Sequence, residues 1–291
     1  MNIDLRDLHL VETDWLGEHL SDSGIRIVDM RGTVKVQTNP DGYQTAEYLG
    51  ARQDFELGHI PGAVYLDWTR DIVDLSDPVP VQAAPTEKIQ DVMQRAGIGD
   101  DTMVIAYDDH PTSQFATRLW WLLKYYGHDK VRVLNGGLRK WISEGRDISV
   151  ETNRPAPSEF HPLLRPEWKS TADEVLSQLS DSNCQIIDAR DNSQYTGATR
   201  RGPRGGHIPG AIGLSRESLV DPDGTFLTDA ELMEAIEYKG IKQDKPVTAY
   251  CNGGVAATSV LFALSMLGFQ RLSNYDGSWN EWSKRLDLPV E

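Results

Sequence analysis

The sequence predicts an α/β protein with two domains in tandem, each a mainly parallel β-sheet with helices on both faces. Three observations predict this fold class: the length of the chain, a set of short phrases that occurs twice in the same order, and strand-like segments that alternate with helix-like ones. At 291 residues the chain is long enough for two domains of ordinary size. Each half could therefore bury a core of its own.

The repeat consists of five short phrases in the same order in both halves. In the first half they are IRIVDMR, GHIPGAV, TMVIAYDDH, FATRLWWLLKYYGH and VLNGGLRKW. In the second half they are CQIIDAR, GHIPGAI, PVTAYCNGG, ATSVLFALSMLGF and NYDGSWNEW. This agreement predicts two homologous domains, over residues 1–150 and 170–291. Residues 151–169 carry four prolines and little periodicity, so they are predicted to form an extended linker. The first half is longer before its GHIPGAV phrase, and an insertion is expected there.

Each half alternates strands with helices. Short β-branched runs such as IRIVD, MVIAY, QIIDA and PVTAY predict buried strands. Apolar residues at helical spacing predict a helix that ends at Gly127. A second helix is predicted with Thr228 as its N-cap, Glu231 completing a capping box and Gly240 closing it. This alternation favours a parallel sheet that is covered on both faces.

Composition and charge exclude several classes of protein. The 44 acidic and 29 basic residues give a formal charge of −15, which argues against a nucleic-acid partner. No run approaches the ~18 apolar residues of a membrane span, and the first residues resemble no targeting signal, so a cytoplasmic protein without a membrane partner is expected. The two cysteines, Cys184 and Cys251, form neither a disulfide framework nor a metal-ligand pattern.

Cys251 is the candidate nucleophile. It directly follows the predicted strand VTAY and precedes a helix that is expected to begin near Gly254 or Val255 and to end at Gly268. In a parallel sheet, the loops at the carboxyl ends of the strands hold the active site. Free backbone amides at a helix N-terminus favour a thiolate over a thiol. Cys184 stands at the start of a strand with no glycine loop after it, which predicts a structural role.

The paired GHIPGA phrases, the strand ends VDMR and IDAR, the loop YCNGGVAAT and the closing YDGSWNEW resemble the two-domain rhodanese family of sulfurtransferases. The likeness runs from TDWL to the C-terminus. It implies tandem rhodanese-like domains in which Cys251 accepts a sulfane sulfur as a persulfide and passes it to a thiophilic acceptor such as cyanide or a thiol, without metal or organic cofactor. It also implies a cradle formed by the amides of Asn252, Gly253, Gly254, Val255 and Ala256. The first-domain position matched with Cys251 is Asp108, so the first domain should be catalytically silent.

The donor is predicted to be a small anion, with thiosulfate favoured and 3-mercaptopyruvate as the alternative. Thiosulfate enzymes of the family often have basic residues in the loop, and mercaptopyruvate enzymes usually have Ser or Thr where this chain has Gly253. A family arginine that binds the donor falls on Gln194, which can donate hydrogen bonds but brings no charge. The candidates for the missing charge are the nearby arginines Arg200, Arg201 and Arg204.

Other residues that recur in both halves are predicted to have a structural role and not a catalytic one. His59 and His207 belong to the two GHIPGA turns, although His59 could face the second domain's pocket. Asp29 with Arg31, and Asp188 with Arg190, are expected to form ion pairs.

Two rival functions can be weighed from the sequence. A phosphatase of related fold would need an arginine at the end of the cysteine loop, and this chain has alanine there. A persulfide relay, or a binding module for a partner such as the thiol-carrying protein thioredoxin, remains open, because transfer to a small acceptor and to a protein thiol use the same intermediate.

Overall fold

The structure is a computed structural model that describes residues 5–291, so the first four residues of the predicted first domain lie outside it. The first half contains, in chain order, α1 (Leu5–His9), β1 (Leu10–Val11), α2 (Thr13–Glu18), β2 (Ile25–Asp29), β3 (Gly32–Thr38), β4 (Tyr43–Gly50), α3 (Arg52–Leu57), β5 (Val64–Tyr65), α4 (Thr86–Arg95), β6 (Met103–Tyr107), α5 (Gln114–Tyr125), β7 (Val131–Leu134) and α6 (Gly137–Ser143).

The second half begins with a 3₁₀ turn (Pro166–Trp168). It continues with β8 (Lys169–Ser170), α7 (Ala172–Gln178), β9 (Gln185–Asp188), α8 (Asn192–Tyr195), β10 (Arg200–Arg201), β11 (Ile212–Gly213), a 3₁₀ turn (Arg216–Leu219), α9 (Asp229–Tyr238), β12 (Val247–Tyr250), α10 (Ala257–Met266), β13 (Leu272–Tyr275) and α11 (Ser278–Trp282). Residues 151–165 form neither helix nor strand.

Each half is built on a five-stranded parallel sheet, as predicted. The strand orders are β1-β7-β6-β2-β5 and β11-β9-β12-β13-β8, which are the same arrangement read from opposite edges. The central strands β6 and β12 are therefore equivalent, and each leads into a long buried helix, α5 and α10 respectively. The loop between β6 and α5 in the first domain is therefore equivalent to the loop between β12 and α10 in the second.

The insertion of the first half is an antiparallel hairpin made of β3 and β4. Strand β10 of the second half pairs with β4, with Arg200 opposite Tyr43 and Arg201 opposite Gln44. The resulting three-stranded sheet contains strands of both halves. The hairpin thereby lies across the boundary between the two domains.

The helix predictions are confirmed, with one shift. Helix α9 has the predicted capping box between Thr228 and Glu231. Helix α10 begins at Ala257 and not near Gly254, because Gly254 adopts a positive φ of 70° that lies outside the helical region. The chain after α10 turns at Gly268 as predicted, with φ 83°.

One apolar cluster contains residues of both domains, beside a smaller cluster within each domain. Helices α5 and α10 pack against each other, and Trp120 contacts Phe262 edge to face with ring centroids 5.1 Å apart. Both side chains are fully buried. No helix among residues 5–291 is long and apolar enough to cross a membrane.

Candidate active site

Cys251 is held at the carboxyl end of β12 by the first residues of α11. Its N–H donates to Ser278 Oγ at 3.1 Å, and its carbonyl accepts the N–H of Trp279 at 3.1 Å. Ser278 in turn donates to the carbonyl of Tyr275 at 2.8 Å. Since Cys251 is only 2 % exposed, the thiol sits in a fixed and nearly closed position.

The loop after Cys251 presents free amides. Within the described chain, the backbone N–H groups of residues 252–256 donate to no acceptor. The carbonyls of the same loop are engaged: Asn252 accepts the N–H of Asn280 at 2.8 Å, and Gly254 accepts from Arg118 and Asn274. Amides left free around a buried sulfur, just before a helix, form a binding site for an anion.

In the equivalent loop of the first domain, a side-chain carboxyl group accepts backbone N–H groups. Asp108 stands at the end of β6, where its carboxylate accepts the N–H groups of Phe115 at 2.8 Å and Ala116 at 2.9 Å, and that of His110 at 2.9 Å. Burial raises the pKa of Asp108 to about 7, although these hydrogen bonds oppose the shift. Asp108 therefore occupies in the first domain the position that Cys251 occupies in the second, and its side chain binds the backbone of its own loop.

Cys251 lines a cavity of about 330 Å³ between the two domains. The second domain contributes the cysteine loop together with Gln194, Arg201 and Arg216. The first domain contributes the hairpin residues Val34, Gln44 and Tyr48, and the loop residues Val81 and His110. The first domain thus forms one wall of the cavity.

A family model described as the rhodanese-like domain matches residues 12–144 and again residues 171–285. The chain belongs to the rhodanese-like family.

Relatives of the chain cover nearly all of it. A 3-mercaptopyruvate sulfurtransferase of Escherichia coli is 35% identical over 97% of this chain and 97% of its own length. A sulfur carrier protein, TtuD, of Thermus thermophilus is 33% identical over 97% of this chain and 95% of its own length. A thiosulfate sulfurtransferase of Corynebacterium glutamicum is 32% identical over 97% of this chain and 90% of its own length. The crystal structure of the E. coli 3-mercaptopyruvate sulfotransferase SseA superimposes with a TM-score of 0.80 at 32% identity, covering 93% of this chain and 98% of that one.

The structure brings part of the predicted rhodanese-like site together. Asn252, Gly253, Val255 and Ala256 line the cavity, whereas Gly254 lies behind it with its carbonyl toward Arg118. Gln194 also lines the cavity, where its Nε2 donates to Gln44 Oε1 at 2.5 Å and its Oε1 accepts from Asn252 Nδ2 at 3.0 Å. Gln194 therefore connects the hairpin of one domain to the cysteine loop of the other.

The three candidate arginines have different surroundings. Arg201 lines the cavity. Arg200 forms an ion pair with Asp41 at 3.1 Å, and its side chain is 42% exposed. The guanidinium of Arg204 donates to the carbonyls of Trp282, Ser283, Arg285 and Leu288. Arg200 and Arg204 are therefore placed away from the cavity, and Arg204 binds the C-terminal segment.

His59 does not face the second domain's pocket. It is fully buried in the first domain and stacks on Phe55 with ring centroids 3.9 Å apart. Its Nδ1 lies 2.7 Å from the carbonyl of Phe55, and its Nε2 lies 3.1 Å from the carbonyl of Glu151. Both ring nitrogens are thus used to fix the turn, which corrects the hypothesis that placed His59 at the site.

The predicted ion pairs are confirmed. Arg190 lies 2.6 Å from Asp188, and Tyr250 also donates to this carboxylate at 2.7 Å. In the first domain Arg31 lies 2.8 Å from Asp29. Both domains contain this arrangement, and all four charged side chains are buried. We therefore assign the two ion pairs a structural role at the ends of the strands and not a catalytic role.

Sequence reasoning missed the site residues that come from distant parts of the chain. Arg118 had a signal, because it is the one charged residue in the apolar run FATRLWWLL and a buried charge needs partners. Arg216 follows GAIGLS directly, and three residues separate it from the end of the second GHIPGAI phrase. The hairpin residues Gln44 and Tyr48 had no signal, since only the pairing of β4 with β10 brings them to the cavity.

Proposed function

We propose that the protein is a sulfurtransferase that moves a sulfane sulfur from a small anionic donor to a thiophilic acceptor through a persulfide on Cys251. The observation that carries the proposal is the unfilled amide cradle around Cys251, at a cavity formed by both domains. In the first domain the residue at the position of Cys251 is Asp108, whose carboxylate accepts the N–H of His110 and two N–H groups of the first turn of α5. The amide cradle of the second domain is suited to an anion that arrives from outside, or to the persulfide anion itself.

Sulfur transfer takes place in two steps. The Cys251 thiolate attacks the sulfane sulfur of thiosulfate, a new S–S bond forms, and the old S–S bond breaks with its electron pair leaving on sulfite. The acceptor, cyanide or a thiolate, then attacks the outer sulfur, and the Cys251 thiolate is regenerated. Covalent catalysis of this kind follows ping-pong kinetics. The amides of residues 252–256 stabilise the anionic sulfur at each stage.

Thiosulfate is the favoured donor. A Cβ atom added to Gly253 would lie 2.9 Å from Val81 Cγ2 and 3.0 Å from Asn280 Nδ2. A hydroxyl side chain, which mercaptopyruvate enzymes usually have at this position, therefore does not fit this loop without a shift of its neighbours. The alternative donor, 3-mercaptopyruvate, is supported by the E. coli relative of that name.

A persulfide relay to a partner protein is the second candidate function. Its support is the relative that is named a sulfur carrier protein and is matched along 95% of its length. A thiol-carrying protein such as thioredoxin is the partner class that this chemistry suits, in a cytoplasmic setting where thiols stay reduced.

The test is a matched assay of the native protein and the Cys251→Ala variant. Each protein is incubated with thiosulfate or with 3-mercaptopyruvate, and its intact mass is recorded before cyanide is added. We expect the native protein to gain the mass of one sulfur atom and the variant to gain none. If neither donor loads folded native protein, the proposal fails for these small donors.

A further inference from the structure

Two arginines of the cavity each have a buried N–H group that lacks an acceptor. The Nε atoms of Arg201 and Arg216 are both inaccessible to solvent, and neither has a hydrogen-bond partner within residues 5–291. A buried N–H without an acceptor costs free energy. Both residues line the cavity that contains Cys251, so an anion bound there lies beside two guanidiniums whose hydrogen-bonding capacity is incompletely used.

The nearby carboxylates do not engage the Nε atom of either arginine within residues 5–291. Glu217 lies 2.8 Å from the Nη2 atom of Arg216, so it engages one end of that guanidinium and not its Nε. Asp191 also lines the cavity, but its Oδ1 accepts the N–H of Gln194 at 3.0 Å and the hydroxyl of Ser193. Oδ1 of Asp191 therefore caps α8.

The first domain supplies a neutral donor to the same cavity. His110 lines it, and the N–H of Thr112 donates to His110 Nδ1 at 3.2 Å, which leaves the ring proton on Nε2. Burial, followed by the charge of Arg216, lowers the pKa of His110 to about 4. At neutral pH this imidazole is a hydrogen-bond donor without charge.

We propose that Arg216 and Arg201 together bind the sulfonate group of a doubly charged donor, so that Arg216 is a specificity-determining residue of the cavity. The inference rests on the proposed function and deepens it, because it assigns the donor to the class of sulfane sulfur carried on an SO₃ group. A guanidinium matches oxoanion geometry, and two guanidiniums offer several N–H donors to the three oxygens of an SO₃ group.

The two arginines also suit sulfite, the leaving group. When the S–S bond of the donor breaks, the electron pair stays on sulfite, which retains two negative charges at the same arginines. A donor such as 3-mercaptopyruvate presents one carboxylate and gains less from the second arginine. Arg216 should therefore matter more for thiosulfate than for 3-mercaptopyruvate.

The experiment measures the rate at which Cys251 gains one sulfur, by intact mass, over a range of donor concentrations. The variants are Arg216→Gln and Arg216→Lys, with Arg200→Gln as a matched control, since Arg200 precedes Arg201 but pairs with Asp41 on the surface. Loss of a hydrogen bond to a charged group predicts a roughly 10- to 100-fold higher half-saturating concentration of thiosulfate for Arg216→Gln. We expect Arg216→Lys to recover part of this loss, and Arg200→Gln to resemble the native protein. Circular dichroism and thermal melting establish that each variant is folded.

The outcomes separate this inference from the proposed function. If thiosulfate loads the native protein and Arg216→Gln equally well, the subsite is wrong while the proposed function stands. The subsite is also overturned if Arg216→Gln weakens loading by thiosulfate and 3-mercaptopyruvate to the same degree. If no donor loads the native protein, the proposed function itself fails.

Discussion

Cys251 and Asp108 occupy the same place in two copies of one loop. The Asp108 carboxylate accepts the N–H groups of His110, Phe115 and Ala116, whereas the N–H groups of residues 252–256 have no acceptor among residues 5–291. The first loop therefore holds a carboxylate that turns inward onto its own backbone, and the second holds a thiol beside amides that an anion can use.

Gly253 fits tightly between the two domains, and this leads to a prediction for Gly253→Ala. The added Cβ would lie 2.9 Å from Val81 Cγ2, and Val81 has little freedom to move because it is 7% exposed. We expect the variant to lose about 1–3 kcal/mol of unfolding free energy, which is typical of overpacking, and to load sulfur more slowly. Denaturant unfolding measures the first effect and intact mass measures the second.

The same prediction has an internal control in Val81→Ala, which removes the methyl group that the new Cβ meets. In the Val81→Ala background, Gly253→Ala should cost clearly less than it does in the native protein. Strictly additive costs in the double variant would show that Val81 does not cause the effect.

At the level of secondary structure, local patterns were sufficient to predict the strands, the helices and the cysteine loop. Thr228, Glu231 and Gly240 define α9 within one short segment, and VTAY followed by Cys251 defines the nucleophile in the same way. The β3–β4 hairpin could be predicted only as an insertion, because its mostly exposed residues show no sequence pattern that indicates pairing with the distant strand β10. The sequence therefore predicts the chemistry of the cysteine loop but not the opposite wall of its cavity.

Helix α1 leads to a prediction about acid stability. His9 lies between Trp120 and Phe262, and its Nε2 is 3.1 Å from Ser265 Oγ on α10. Burial, helped by the charges of Lys124 and Arg132 and opposed by Asp129, lowers the pKa of His9 from 6.5 to about 4. The folded state therefore binds fewer protons than the unfolded state between these values, and stability falls as the pH drops from about 6.5 to 4.

The contribution of His9 to this loss should be about 2–3 kcal/mol. Unfolding free energies of the native protein and of His9→Gln, measured between pH 7 and pH 4, should converge as the pH falls, because glutamine has no proton to gain. An identical acid profile for the two proteins would assign the effect to other groups, such as His110 and His128, whose pKa values burial also lowers.

In the whole molecule, the two domains are joined through a buried charge. Arg118 of α5 forms an ion pair with Asp276 of the second domain at 2.6 Å, and the two side chains are 1% and 0% exposed. The same guanidinium donates to the carbonyls of Gly254 at 3.1 Å and Val81 at 2.9 Å. Asp276 also accepts the N–H of Ala83 at 2.8 Å. One arginine of the first domain thus binds the cysteine loop through Gly254, the opposite loop through Val81, and the second domain's Asp276.

This arrangement predicts that Arg118→Met costs about 3–5 kcal/mol of unfolding free energy, because it leaves Asp276 buried without its closest partner. Lys169→Met is the matched control. Lys169 approaches the same carboxylate at 3.5 Å but is 29% exposed, so its removal should cost at most about 1 kcal/mol. Arg118→Met should also slow sulfur loading, since the Gly254 carbonyl loses a donor and the amide cradle loses its support. Calorimetry on both variants measures the loss of stability, and intact mass measures the rate of sulfur loading. Equal losses of stability in the two variants would show that Arg118 does not join the domains.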